Sequence, residues 1–463
     1  MDVKSSPDSE GSSNSVPLVL TFCFISLLLI YLVYSQNIIY GSKPGHWIYP
    51  YFKTLTAIPL WLPLSIILLL GLLIFTGSKL ILVFEKTTLI ACFLLVFVIQ
   101  ILIHSVYPVS LAAIVESEGA NSFYTPAIQY TPVEILSQFI ALAPTFPLHG
   151  QSNMPGKILL FQFIHLFTSS TQVMGVIIIL ISTLGGLLLY GICKLLFHDR
   201  QIAFYALILY ALIPGKLFFF PILNTVTPVF LLLCLFLFLL FVERKQAVFL
   251  WLFGASLYFL VLFEPSPLVA GIVFLGIFIH ALLAKKLSQK ELLRLLIIPF
   301  LSFLGVYLLF FVFFSFNLFQ VFKYILADAV DFNVKANRPY WIWLQENPKE
   351  FFFAAGLPVM MIFIFMAAKI LTQSGSLKSI ARWTLENIIV ISLLVTFCAL
   401  LFLGVNRGEI TRLWIYLAVL FQIPAASFLG KMPSSKTMFF LVAATLVIQS
   451  ILTLQRIQFI NPD

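Results

Sequence analysis

Charge is scarce in this chain. Asp, Glu, Lys and Arg make up only 10% of its 463 residues, against 61% hydrophobic residues and a mean hydropathy of +1.07. Soluble globular domains carry about a quarter charged residues, so that class is excluded. Cysteine is sparse as well. Cys23, Cys92, Cys193, Cys234 and Cys398 each fall in a separate apolar run, without the spacing of a zinc site or the loop placement of disulfides. Phosphate-cradling glycine loops are missing: no G-x-x-x-x-G-K-S/T occurs, and no G-x-G-x-x-G opens a helix. Nucleotide hydrolysis and dinucleotide chemistry therefore have no support. The formal charge is +9, but the basic residues stand singly at the ends of apolar runs, which reads as membrane topology and not as a nucleic-acid groove.

What the chain has in abundance is apolar runs of membrane length, 50 Phe among their residues. Runs of about 20 residues match the thickness of bilayer hydrocarbon. Without polar residues at alternate positions they satisfy their backbones only as helices. The expected fold is all-α and polytopic, with about thirteen spans. They are read over 16–34, 56–76, 87–105, 171–193, 201–217, 224–242, 247–263, 268–284, 293–315, 351–370, 385–404, 411–430 and 437–454. Residues 1–15 form a Ser-rich tail expected to be disordered and cytoplasmic, and 16–463 a single transmembrane domain. The tail lacks the basic start of a signal peptide, so the first apolar run is read as a retained helix.

With the N-terminus cytoplasmic, sixteen Lys and Arg fall on the cytoplasmic side and eleven on the other. The second set is spread over about twice as many loop residues, a roughly threefold difference in density that orients the chain. The two long polar stretches, 104–156 and 316–350, then both face outward. Two short apolar segments in the first of these regions, Glu134 to Ala143 and Lys157 to Ser169, are too short to cross and are expected to lie as in-plane helices.

Ionisable groups at or near membrane depth are the candidates for function. One set is Glu116 and Glu118 with Asn121 and Tyr124, in the first outer loop. A second is Asn224 beside Pro221, and a third is Arg338 in the second outer loop, next to Tyr340 and Trp341. The fourth, Arg407, Glu409 and Arg412, is chemically the most suggestive. Glu409 and Arg412 are spaced i, i+3 on one helix face, and guanidinium groups suit bidentate capture of phosphate. Each set has a plainer reading: solvated loop carboxylates, an aromatic-belt anchor at Arg338, an interfacial salt bridge between Glu409 and Arg412. Glu264, in Phe-Glu-Pro-Ser-Pro, reads as a turn residue, and His149 is evenly balanced between the two kinds of role.

Four features together resemble the GT-C superfamily of membrane-embedded glycosyltransferases. These are the acidic loop motif VESEGANSFY (115–124), the short helix after NMPG (153–156), the polar PILNT entry to the sixth span, and the late GEITRLW segment. The last is similar to a segment of bacterial members. The resemblance implies transfer of a sugar from a polyprenyl-phosphate carrier to a glycan, lipid or protein acceptor, in a bacterial plasma membrane and on its external face. Under it, Glu116 or Glu118 takes the acceptor's proton. Arg407 and Arg412 hold the departing phosphate, while Arg338, Glu409, Asn121 and Tyr124 complete the binding site. A divalent cation could bridge phosphate and carboxylate, though nothing in the sequence demands one. The chain departs from the family in two ways: three spans precede the acidic loop where one is usual, so 16–86 reads as an added N-terminal element, and Glu-x-Glu stands where Asp pairs are usual. The alternatives are a transporter of lipid-linked saccharides and an O-antigen-type polymerase.

Overall fold

The computed structural model describes residues 15–55, 57–373 and 383–461. The tail expected over 1–15 thus lies, except for Ser15, outside the described residues. Ten helices are long and apolar enough to cross a membrane, and eleven if Tyr340–Ala355 and Leu357–Gln373 count as one span bent by 114°. Two further expected spans are the shorter apolar helices Ala247–Phe263 and Ile415–Gly430. The only sheet among the described residues is a two-stranded antiparallel hairpin, Gly41–Ser42 with Trp47–Ile48. The chain is an all-α, multi-pass membrane protein.

The burial of the helices follows their composition. Ile415–Gly430 is apolar all round and nearly every residue of it is buried, as expected of a helix at the centre of a bundle. Its one side-chain amide, Gln422, donates through Nε2 to the carbonyls of Ala355 and Ala418 at 3.1 and 3.0 Å, which satisfies the buried donor. Gln289–Phe314, by contrast, buries only Pro299 and Ser302. Leu293, Leu296, Phe300, Leu308, Leu309, Phe311 and Phe313 face outward, as expected of a helix at the lipid-facing edge of a bundle.

Two boundaries differ from the sequence expectation. The second span runs Trp61–Val83 and not 56–76. Thr-Gly-Ser-Lys at 76–79 reads as its end, yet the helix continues because the Ser78 hydroxyl bonds back to the Ile74 carbonyl and Gly77 admits the Phe204 ring against the backbone. Over 316–350, expected as an outer loop, the chain forms two helices, Leu318–Lys335 and Tyr340–Ala355.

The polar connections gather on two faces. On one, Glu85 is paired with Lys194 and Arg200, and Arg200 also donates to the Leu82 carbonyl. On the other, the hairpin lies against Tyr340–Ala355, with Trp343 Nε1 donating to the Gly45 carbonyl at 3.1 Å. There the segment 458–461 is stitched to the first outer loop, Tyr107 donating to Ile460 and Ser117 to Asn461, and to the hairpin connection, Gln458 N donating to Pro50. The in-plane candidates are found as the helices Pro132–Leu142 and Gly156–His165.

Candidate functional site

The site begins with three local structures brought to the same face. In the first, the segment 148–157 turns so that Asn153 Nδ2 donates to the His149 carbonyl at 2.9 Å, while its Oδ1 accepts from Lys157 Nζ at 2.8 Å. Gly156 opens the following helix directly on the end of Ala247–Phe263. A Cβ at this position would stand 2.5 Å from the Leu262 carbonyl oxygen. This close seating brings buried Lys157 to Glu264, 3.0 Å away.

Glu264 is the second structure. It leaves the Ala247–Phe263 helix in extended conformation, which turns its carboxylate inward. Oε2 accepts from Thr227 Oγ1 at 2.7 Å and from Asn224 Nδ2 at 3.5 Å, in addition to Lys157. Oε1 accepts from Ser266 Oγ at 2.8 Å.

The third is the 404–414 segment, held by side chains of Tyr340–Ala355. Asn347 donates to the Asn406 carbonyl at 3.0 Å and accepts from Gly408 N at 3.1 Å; buried Glu350 accepts from Ile410 N at 2.9 Å. Glu409 takes a left-handed conformation, φ 58°, before the short helix that carries Arg412. Its carboxylate bridges two guanidiniums, Arg338 Nη2 at 2.7 Å and Arg412 Nη2 at 2.6 Å. Burial pushes Glu409 up, but Arg412 and Arg338 outweigh it and hold the carboxyl below its usual range. Arg338 and Arg407 donate to each other's carbonyls at 2.8 and 2.9 Å. Arg412 Nη1 lies 3.2 Å from His149 Nε2. The imidazole is pushed down to about 3 by burial and by the Arg412 charge, so Nε2 is the acceptor of that contact.

A continuous polar chain results: Glu264, Lys157, Asn153, His149, Arg412, Glu409, Arg338, Arg407. All of these except Lys157 line one cavity of about 290 Å³. Leu318–Lys335 covers it with Phe322, Ile325, Leu326, Ala329 and Phe332. The cavity is therefore amphiphilic, apolar on one wall and cationic on another.

Five of the nine residues in the four candidate sets, Asn224, Arg338, Arg407, Glu409 and Arg412, line this cavity. Glu116 and Glu118 do not line the cavity. Both are exposed, Glu116 accepting from Thr171 at 2.6 Å and Glu118 from Thr125 at 3.2 Å. The cause is local: Ser117 between them caps the turn Glu118–Asn121 through the Ala120 N–H, so the buried residue of the three is the serine. Asn121 is fully buried, with neither side-chain amide atom hydrogen-bonded among the described residues, and Tyr124 packs edge-on to Phe161. The motif reaches the cavity with Ala120 and Phe123.

Sequence reasoning missed the Lys157–Glu264 pair. One signal was present, since Glu264 is the only acidic residue between Glu243 and Glu291. Among the described residues, no group of three His, Cys, Asp or Glu is placed to hold a metal ion. No protein-family model matches the chain, and no curated protein sequence matches it significantly.

Proposed function

We propose that the protein is an integral membrane glycosyltransferase that takes its sugar from a polyprenyl-phosphate carrier and works in this cavity. The observation that carries the reading is the Arg338–Glu409–Arg412 bridge in the wall of a cavity whose cover is apolar. Arg338, Arg407 and Arg412 face a single carboxylate among themselves, and Lys157 and Glu264 neutralise each other, so the net local charge favours an anion. Oriented guanidiniums suit a phosphate both as ligand and as leaving group. The covering helix offers the surface a prenyl chain needs. The acceptor is a glycan, lipid or protein whose hydroxyl must lose a proton.

Purified protein in liposomes, given radiolabelled polyprenyl-phosphate sugars and an acceptor extract, should transfer label. Arg412→Ala should lower kcat/KM by about 100-fold. A donor left unconsumed by the wild type under all acceptors would overturn the enzyme reading. Transport of lipid-linked saccharides would then stand in its place. It is favoured by the bent helix pair at Gly356 and by Lys216, fully buried 3.8 Å above the Tyr210 ring, both of which are expected of transport pathways. Label crossing the bilayer without transfer would show it.

A further inference from the structure

The cavity has two chemically different ends, joined by the polar chain already described. At the guanidinium end, three cations meet one carboxylate. At the other end, Glu264 and Lys157 form an ion pair of zero net charge, 3.0 Å apart, with Asn224, Thr227, Ser266 and Asn153 around it. That end has no net attraction for phosphate. Around the ion pair it is built of neutral amides and hydroxyls, which with the carboxylate are the groups that read hydroxyls.

Within the pair the two carboxylate oxygens are unequally used. Among the described residues Oε2 has three donors, Lys157, Thr227 and Asn224, whereas Oε1 has Ser266 alone. A carboxylate oxygen accepts two hydrogen bonds readily, so Oε1 keeps an acceptor site. Glu264 is buried, 7% exposed, yet it lines the cavity. An ion pair made only for stability would gain nothing from facing an open space. A buried charged pair is a weak source of stability in any case.

We infer that Glu264, positioned by Lys157, is the sugar-reading group of the cavity, its Oε1 accepting hydroxyl hydrogens of a sugar whose phosphate lies at the guanidinium end. The inference rests on the lipid-linked donor reading and gives it an orientation: phosphate toward Arg412, ring hydroxyls toward Glu264, prenyl chain along Leu318–Lys335. At about 290 Å³, the cavity is at the lower limit of small-molecule sites, roughly 300–1,000 Å³. That size suits one sugar ring and its phosphate, not an oligosaccharide.

The test is a binding experiment on the full chain in detergent micelles, with two probe classes. One is a C15 prenyl monophosphate; the other is the same lipid esterified to each of a panel of hexoses and pentoses. The wild type should bind at least one sugar-bearing probe roughly tenfold more tightly than the bare phosphate. Glu264→Gln should lose that preference and keep the affinity for the bare phosphate, which also reports an intact fold. Because Glu264→Gln leaves Lys157 buried without its partner, the double variant Lys157→Gln/Glu264→Gln is measured beside it, and the same loss is expected. Variants that bind the bare phosphate normally and keep the full preference would overturn the inference, as would a wild type with no preference. A wild type that binds neither probe class would instead overturn the lipid-phosphate reading on which the inference stands.

Discussion

His149 stands where the cavity's charge balance is most easily disturbed, at the cavity wall beside Arg412. Burial and the Arg412 charge push its pKa from 6.5 to about 3. Between those two values the unfolded chain binds a proton that the folded chain refuses, so stability falls as pH drops below 6.5. The slope is at most about 1.4 kcal/mol per pH unit. Glu409, held low by Arg412 and Arg338 after burial is overcome, loses its contribution only as pH falls below its ordinary 4.5. The expected result is a decline of Tm from pH 6.5 to 5 that is steeper in the wild type than in His149→Gln; equal slopes in the two would refute the assignment. At this scale the sequence was legible where a pattern existed. Glu409 and Arg412 are close in sequence and share a helix face, so spacing alone pairs them. Lys157 and Glu264 are far apart in the chain and only the fold brings them together. Glu116 and Glu118 show the reverse case: conspicuous as a pair, they were turned outward by the serine between them.

Leu318–Lys335 is the element that gives the cavity its apolar cover. Leu318, Phe322, Ile325, Ala329 and Phe332 recur at three- and four-residue spacing, while Lys323, Asp331 and Lys335 occupy the opposite side, as an amphipathic helix requires. Ala329 lies on the cavity side, so Ala329→Trp should fill the cavity without disturbing the bundle. Affinity for prenyl phosphate should fall by about tenfold or more, with Tm unchanged within a few degrees; a tryptophan tolerated without loss of affinity would place the ligand elsewhere. The spans were legible because length and composition dictate them. This helix was less so, since its charged residues give the stretch a polar average that conceals its period. The continuation of the second span to Val83 was concealed in the same way: Gly77 and Ser78 look like a loop, and only Phe204 in contact shows why they are not.

For the whole molecule, the two faces carry different polar sets, one built round Glu85, Lys194 and Arg200, the other round the cavity. From the density of Lys and Arg we propose that the first faces the cytoplasm. An impermeant thiol reagent should therefore label Ser137→Cys on intact cells, and Lys285→Cys only after permeabilisation. Four native cysteines are buried and Cys398 is partly so, which keeps the background low. Labelling of Lys285→Cys from outside would invert the topology. The overall class was legible from hydropathy, but the site was not, because its parts come from four remote stretches of chain around His149, Glu264, Arg338 and Arg412. That dispersal governs the order of biogenesis. While the protein is being synthesised, the Lys157–Glu264 pair can form once the first 264 residues have emerged and inserted, but the guanidinium bridge waits for Glu409 and Arg412. A nascent chain that has not reached residue 412 lacks Arg412, so the bridge from Arg338 through Glu409 is completed only when no more than 51 residues remain to be made.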